Sequence, residues 1–389
     1  MESTLKETSV NKLNATLDEN TFSEIKRKKK IRYRSLDITR GLIVLLSVFL
    51  FHIPPGGYEY LRHAKWYGIT IMDFILPGFI TVFGAGMAFA YHKGVNWKKF
   101  LKRTFRLLIY GLIFNMIVDW RIDFSTIRLT GVLQLYAILG ILTILITHFV
   151  KSWKWLLIIA FTILGIHGFT LLTFSQSCAG GLPQMDCNPS GIIDVIIFGS
   201  EHLYYQGKLG YDPEGVLTIF ASLANVLIGY ASALILLENR EKGAWKELIT
   251  SGIIILICAY LASNLIPFNK KIWTPSFALI TAGSVVTIFG IAHLLFDRTN
   301  LTRKSLLVWY IEAFGRNSFL IYFGKFVVYS LLIHTMINIG NESRSISDLL
   351  YSKIQLISDY PQLTYAFVML LGWSLIAVLL HAKKWYIKA

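Results

Sequence analysis

Long apolar runs alternate with short polar connections along the whole chain after residue 35. A membrane-spanning helix takes about 20 mostly apolar residues, and ten stretches fit: Leu36–Phe51, Ile69–Tyr91, Phe105–Val118, Leu129–Val150, Trp153–Phe174, Val216–Leu237, Leu248–Ile266, Phe277–Phe296, Trp309–His334 and Tyr365–Leu380. The third is short and extends toward Trp120. The ninth is long and carries Gly315 and Gly324, which favours a bend or a tilt. The pattern predicts an all-α polytopic membrane bundle of about ten transmembrane helices, with both termini on one side.

The distribution of charge orients it. Short cytosolic loops of membrane proteins carry an excess of Lys and Arg. With the N-terminus in the cytosol, 26 of the 38 basic residues fall on that side and nine on the other; Arg40, Arg316 and Lys325 fall within spans. Residues 1–34 read as a basic, disordered cytosolic tail, with anionic lipid head groups as a minor contact. Residues 35–389 read as the transmembrane domain. The first apolar run is a full span rather than a cleavable signal.

Composition agrees. The 389 residues are 54% hydrophobic and 16% charged, against about 45–50% and 25% in soluble domains. The net charge of +15 lies in scattered clusters between spans, not in a stripe, so no nucleic acid is expected as a partner. With three Cys the chain is no disulfide scaffold. Cys178 and Cys187 share one outward loop and are expected to form a structural bridge. No spacing resembles a metal site or a nucleotide-binding loop.

Polar groups within or beside spans are costly and mark candidate sites. At the cytosolic start of the first span, Asp37 and Arg40 share a helix face. They read either as an orienting ion pair or, with Arg34, as a hold for an anionic ligand. The outward loop His52–Gly68 is the leading candidate: two His, Glu59, Arg62, Lys65 and four aromatics lie in a segment opened by two Pro and two Gly. Asp73 follows in the second span. A third cluster, Glu201–Gln206 and Tyr211–Gly215, reads either as a helix cap or as a carboxylate pair, Asp212 and Glu214, for a cationic acceptor. Asn115, Asn317, Ser318 and Lys325 either line a channel or bond neighbouring helices.

Several stretches occur together in one order: Arg34–Gly41, Gly56–Tyr58 through His63–Trp66, Gly131–Gln134, Gly199–Tyr204, Tyr211–Gly215, Asn269–Trp273 and Asn317–Ser318. In these the chain resembles the heparan-alpha-glucosaminide N-acetyltransferase family. The resemblance implies transfer of an acetyl group from cytosolic acetyl-CoA, with no metal, to an amino sugar on the outer side. It places the catalytic His at His63. Where the family has Asn, eleven residues earlier, this chain has His52. It has no counterpart of the lumenal domain of lysosomal members, so a bacterial-type plasma-membrane protein acting on an envelope sugar is expected.

The residues fit such chemistry. His63 suits a base for the acceptor amine, or a transient acetyl carrier. His52 could orient His63 or the thioester oxygen. Tyr58 and Trp66 could stack on a sugar, and Glu59, Asp212 or Glu214 could attract an ammonium group; Lys270 and Trp273 join them on the acceptor side. The nucleotide is expected at the cytosolic mouth, near Arg34, Asp37 and Arg40, with Asn317 and Ser318 along the route. Lys98, Lys102, Arg103 and Arg106 read first as topology signals and second as further phosphate contacts. Alternatives are an O-acyltransferase of an envelope polysaccharide, a transporter of sugars or organic anions and, less well supported, a structural subunit; a homodimer is an open assembly.

Overall fold

The computed structural model describes residues 33–239, 243–298, 305–339 and 342–387. The expected basic tail lies outside the described residues except for its last two. Arg34–Ala389 form one compact unit. Of the described residues 73% are helical, and they form one two-stranded antiparallel sheet, so the all-α expectation holds.

The helices are α1 (Arg34–Phe51), α2 (Ile75–Tyr91, entered through a short 3-10 turn, Ile71–Phe74), α3 (Trp97–Val118), α4 (Val132–Phe149), α5 (Trp153–Ser175), α6 (Pro189–Phe198), α7 (Val216–Glu238), α8 (Trp245–Ser263), α9 (Pro275–Ala292, continued by the π-helical turn His293–Arg298), α10 (Leu306–Arg316), α11 (Ser318–His334), α12 (Ile346–Gln355) and α13 (Pro361–Ala382). A hairpin, β1 (Met336–Ile339) and β2 (Glu342–Ser345), lies between α11 and α12.

Each of the ten apolar stretches falls on a helix or helix pair. Among the described residues, seven helices are long and apolar enough to cross a membrane by themselves, and eight if the bent pair counts as one span. The other two, α1 and α3, have the length (18 and 22 residues) but carry charged first turns. The long ninth stretch is broken: α10 and α11 meet at 70°, around Asn317. The connection Ser175–Tyr211, expected as loop, holds a short apolar helix, α6.

Helix α7 is the axis of the bundle, with 94% of its apolar window buried. It packs on α2 through a close approach of backbones. A Cβ on Gly84 would strike the Val226 carbonyl, and one on Gly229 the Thr81 carbonyl. Small residues at such crossings let membrane helices pack by van der Waals contact, where water supplies no hydrophobic drive between them. Helices α1 and α10 use the same device, with Gly41 against Ile311 and Gly315 against Asp37.

The buried polar groups within spans bond neighbouring segments. Lys325 Nζ donates to the Ser47 carbonyl at 3.0 Å and to its hydroxyl, and lies over the rings of Phe51, Tyr322 and Phe326. Asn115 Nδ2 donates to the carbonyls of Arg128 and Thr130 at 2.9 and 2.8 Å. For these two residues the bond to a neighbouring segment is what the structure shows, to helix α1 for Lys325 and to the α3–α4 connection for Asn115.

The connections sort into two sets. Those after α1, α3, α5, α8 and α11 contact one another: Gly68 donates to the Phe268 carbonyl, Leu129 to that of His202, Gln362 to that of Gly56, and Trp120 stacks on His334. At the other end, Arg34 and Ser35 bond Asp297, and Gly243 lies against Arg298. Alternation of this kind is what ten successive crossings would produce.

Candidate active site

The loop after α1 turns on three successive residues with positive φ, Gly56 (95°), Gly57 (89°) and Tyr58 (53°). Only glycine adopts such angles freely, and the turn folds the segment back over the bundle. His63 then meets the residues that open α2. Its Nδ1 lies 2.6 Å from Asp73 Oδ1. Asp73 is buried (1% exposed), and its other oxygen accepts from the backbone N–H groups of Ala64 and Thr70 and the Thr70 hydroxyl at 3.2, 3.0 and 3.1 Å. Four donors therefore hold this carboxylate in one place. With Nδ1–H donated to it, the imidazole carries its lone pair on Nε2.

Lys270 reaches the same histidine from the loop between α8 and α9. Its Nζ is 3.1 Å from both ring nitrogens; an ammonium equidistant from the two cannot align with either lone pair. Burial, then the charge of Lys270, holds the His63 pKa below 6.5, with Asp73 acting in the opposite sense. Lys270 is itself pushed below the usual lysine range by burial, against the pull of Asp73 and Glu214. A neutral imidazole at neutral pH is the form that accepts a proton. Replacing Lys270 by Met removes a like charge and should raise the His63 pKa. The acid limb of kcat/KM against pH is expected to move to higher pH; a limb that stays or moves down would contradict the assignment.

Why Lys270 stands there is visible in its loop. Asn269 Oδ1 accepts from Lys271 and Ile272 at 2.8 and 3.3 Å, closing a tight turn. Trp273 sits beneath it, fully buried, with φ of 50° and its indole N–H on Asn225 Oδ1 at 3.1 Å. The Asn-Lys-Lys-Ile-Trp segment is thus an anchor that raises two cations. Lys271 Nζ bonds the Lys65 carbonyl at 2.5 Å.

The expected disulfide is present between Cys178 and Cys187. The loop it closes presents the Pro183 carbonyl, which accepts from Trp66 Nε1 at 2.9 Å and the Tyr67 hydroxyl at 2.5 Å. Trp66 also packs on Tyr211 (5.5 Å between rings). Its indole is engaged in joining two loops.

A third cluster supports these. Arg128 Nη2 bonds Asp212 Oδ1 at 2.9 Å and Glu214 Oε2 at 2.5 Å, and the guanidinium lies over the Tyr204 ring. Asp212 is fully buried and further accepts from the Thr130 hydroxyl and the N–H groups of Tyr204 and Glu214. Its acceptor capacity is used within the protein. Burial raises the Glu214 pKa, and Arg128 opposes this. Truncating one partner of a buried ion pair leaves an uncompensated charge and costs about 3–5 kcal/mol. Arg128→Met should therefore lower the thermal unfolding midpoint strongly, read in detergent by intrinsic fluorescence; an unchanged midpoint would contradict the cluster's structural role.

The other expected residues lie as follows. His52 is buried, bonds the Val48 carbonyl of its own helix through Nδ1 at 2.7 Å, and leaves Nε2 without a partner among the described residues. The orienting contact to His63 comes from Asp73. Tyr58 packs on the core and Glu59 is exposed. At the opposite end, Arg34 Nε bonds Glu312 at 2.5 Å, Arg40 lies 3.8 Å from Asp37, and Gly315 brings α10 onto Asp37 just before Asn317. The residues expected on the donor side thus gather where α1 meets α10. Asn317 is buried, and its Oδ1 has no partner among the described residues; Ser318 opens α11. Asp73 was absent from the sequence-based site. The signal was there: Thr70 followed three residues later by Asp73 marks a capping pattern.

A family model described as the catalytic region of heparan-alpha-glucosaminide N-acetyltransferase matches residues 32–187. The chain is 26% identical over 359 residues to heparan-alpha-glucosaminide N-acetyltransferase of Homo sapiens, covering 75% of this chain and 52% of the relative. It is 26% identical over 375 residues to that of Mus musculus, covering 78% and 55%. A Saccharomyces cerevisiae protein named as a cation exchanger is 26% identical over 207 residues, 48% of this chain. The chain spans about half the length of the two mammalian relatives it matches. The family match across the His63–Asp73 region, and the similarity over three quarters of the chain, make this protein similar to the heparan-alpha-glucosaminide N-acetyltransferases in its membrane part.

Proposed function

We propose that the protein is a membrane-embedded acetyltransferase that moves an acetyl group from cytosolic acetyl-CoA to the amino group of a glucosamine-type sugar on the outer face of the plasma membrane. The observation that carries this is the His63–Asp73 pair, an imidazole whose Nδ1 faces a buried carboxylate and whose ring lies 3.1 Å from the Lys270 ammonium, which helps to hold its pKa down. His63 Nε2 takes the proton of the acceptor amine as its nitrogen attacks the thioester carbonyl. Asp73 fixes the tautomer and stabilises the imidazolium that forms. The Lys270 ammonium faces the developing oxyanion. Collapse expels the CoA thiolate, which receives the proton from His63, leaving an N-acetyl sugar and CoA.

Glu214, held by Arg128 within Coulombic reach of Lys270, supplies the negative potential that draws an amino sugar. The donor's phosphates stay at the α1–α10 end, where the sequence concentrates its cations, and the arm passes between helices to His63.

The test uses purified protein, labelled acetyl-CoA and a panel of amino sugars with hydroxyl-only sugars as controls. Label in the N-acetyl amino sugar supports the reading. Label only in O-acetyl products moves the acceptor to a hydroxyl. No transfer, no CoA binding and uptake of the sugars instead would replace the enzyme by a transporter.

A further inference from the structure

Helix α6 has the reverse of the pattern a helix shows in water. Its buried residues are Pro189, Ser190 and Asp194. Its large apolar residues face outward: Ile192, Val195, Ile196 and Ile197 are 42–77% exposed. A helix at a water-facing surface turns its apolar stripe to the core and its polar residues out. Ten residues rise about 15 Å, half of a hydrocarbon core of about 30 Å, so α6 is too short to cross a membrane.

The neighbours say what covers the apolar face. Helix α6 packs against α5 and α7, both long and apolar enough to be spans. The second half of α5 exposes Ile166 and Phe169, and α7, otherwise buried, exposes Phe220 in its second turn. On spans these side chains stand in hydrocarbon, and lipid that reaches them reaches α6 beside them. Tyr205, 65% exposed, and the exposed Lys208 follow in the next segment. Tyrosine rings and lysine head groups collect at the boundary between lipid and water, which sets the level of α6 just inside that boundary.

The other face of α6 holds the candidate acceptor side. Asp194 Oδ1 accepts from the Val216 N–H at 2.8 Å, and its carboxylate occupies the place a Cβ on Gly215 would take. Asn188 Nδ2 donates to the Gly210 carbonyl at 3.1 Å, and Gly191 lets the two backbones meet there. Between these two holds runs the segment in which Tyr211 packs on Trp66 of the His63 loop and Glu214 pairs with Arg128. The acceptor side is therefore fastened to a helix whose free face suits lipid.

We infer that α6 lies in the leaflet on the His63 side, and that the acceptor is an amino sugar carried on a lipid anchor in that leaflet. The acceptor class rests on the acetyltransferase reading above; the placement of α6 does not. A sugar tethered in the surface beside the site meets it at a raised effective concentration. The anchor stays in the bilayer and only the sugar reaches His63.

Placement is measured with nitroxide labels on Ile196→Cys and, separately, Val195→Cys, in vesicles and in a Cys258→Ser background that removes the free thiol. Oxygen, which concentrates in lipid, is expected to relax both labels as it relaxes a label on Phe169→Cys of α5, and a water-soluble nickel chelate is expected to leave them unchanged. Relaxation by the chelate would put α6 in water, and access to neither reagent would put it under a second copy or a partner protein; either result overturns the inference. The acceptor class is measured as acetyl transfer to glucosamine linked through its anomeric oxygen to a lipid chain in the same vesicles, and to the soluble methyl glucosaminide. The lipid-linked sugar is expected to show a KM lower by about a hundredfold, on total concentration. Equal KM values would overturn the lipid-linked class. Transfer to neither sugar would overturn the acetyltransferase reading and the acceptor class with it, while the labels still decide where α6 lies.

Discussion

His63→Gln is expected to lower kcat for acetyl transfer by roughly 10²–10⁴-fold, the usual contribution of a positioned general base. Binding of acetyl-CoA should be unaffected, because the proposed seat of the donor's nucleotide is at the far end of the helices. Glutamine keeps polarity and much of the volume, and His63 is partly exposed, its side chain at 41%, so the fold should survive. Initial rates and donor binding on the same preparation separate the two. A variant with wild-type kcat would remove His63 from the chemistry.

Asp73→Asn should lower kcat by a comparable factor, about 10²–10⁴, through the tautomer. The carboxylate accepts Nδ1–H; an amide can present N–H there instead and place the proton on Nε2, where the acceptor amine must deliver its own. The same oxygen pair also accepts from Ala64 and Thr70, so some loss of order in the loop is expected. The readout specific to positioning is the pH profile. Asp73 raises the His63 pKa, so removing its charge should move the acid limb of kcat/KM to lower pH while kcat falls. A fall in kcat with the limb unmoved would assign Asp73 to loop structure alone. Lys270→Met, expected to move the limb the other way, is the internal control.

The spans were legible because hydrocarbon demands long apolar runs, and each of the ten stretches falls on a helix or helix pair. What periodicity could not show was the 70° break at Asn317, which is set by tertiary contacts such as Gly315 against Asp37. The His63 loop was legible as an unusual density of polar and aromatic groups in a short connector. Its partners were less so. Asp73 is ten residues away, but the pairing depends on a 3-10 turn folding back. Lys270 is 207 residues away, and only family resemblance pointed to it. Residue types also gave no direction. Trp66 looks like a sugar platform in the sequence and Trp273 like an acceptor-side residue; in the fold one indole bonds Pro183 and the other Asn225, and both hold the loops that present His63 and Lys270. Asp212 looks like a ligand for an ammonium group, yet Arg128, Thr130, Tyr204 and Glu214 already use it.

On the proposed function, donor and acceptor approach from opposite ends of the helices, with His63 at the acceptor end. Its most direct test is transfer across a sealed bilayer. Protein is reconstituted in vesicles with glucosamine trapped inside, and labelled acetyl-CoA is added outside. Molecules whose α1–α10 end faces outward should place label in trapped N-acetylglucosamine, and His63→Gln vesicles should place none. Label appearing only when donor and acceptor share one face, or equally with His63→Gln, would contradict it.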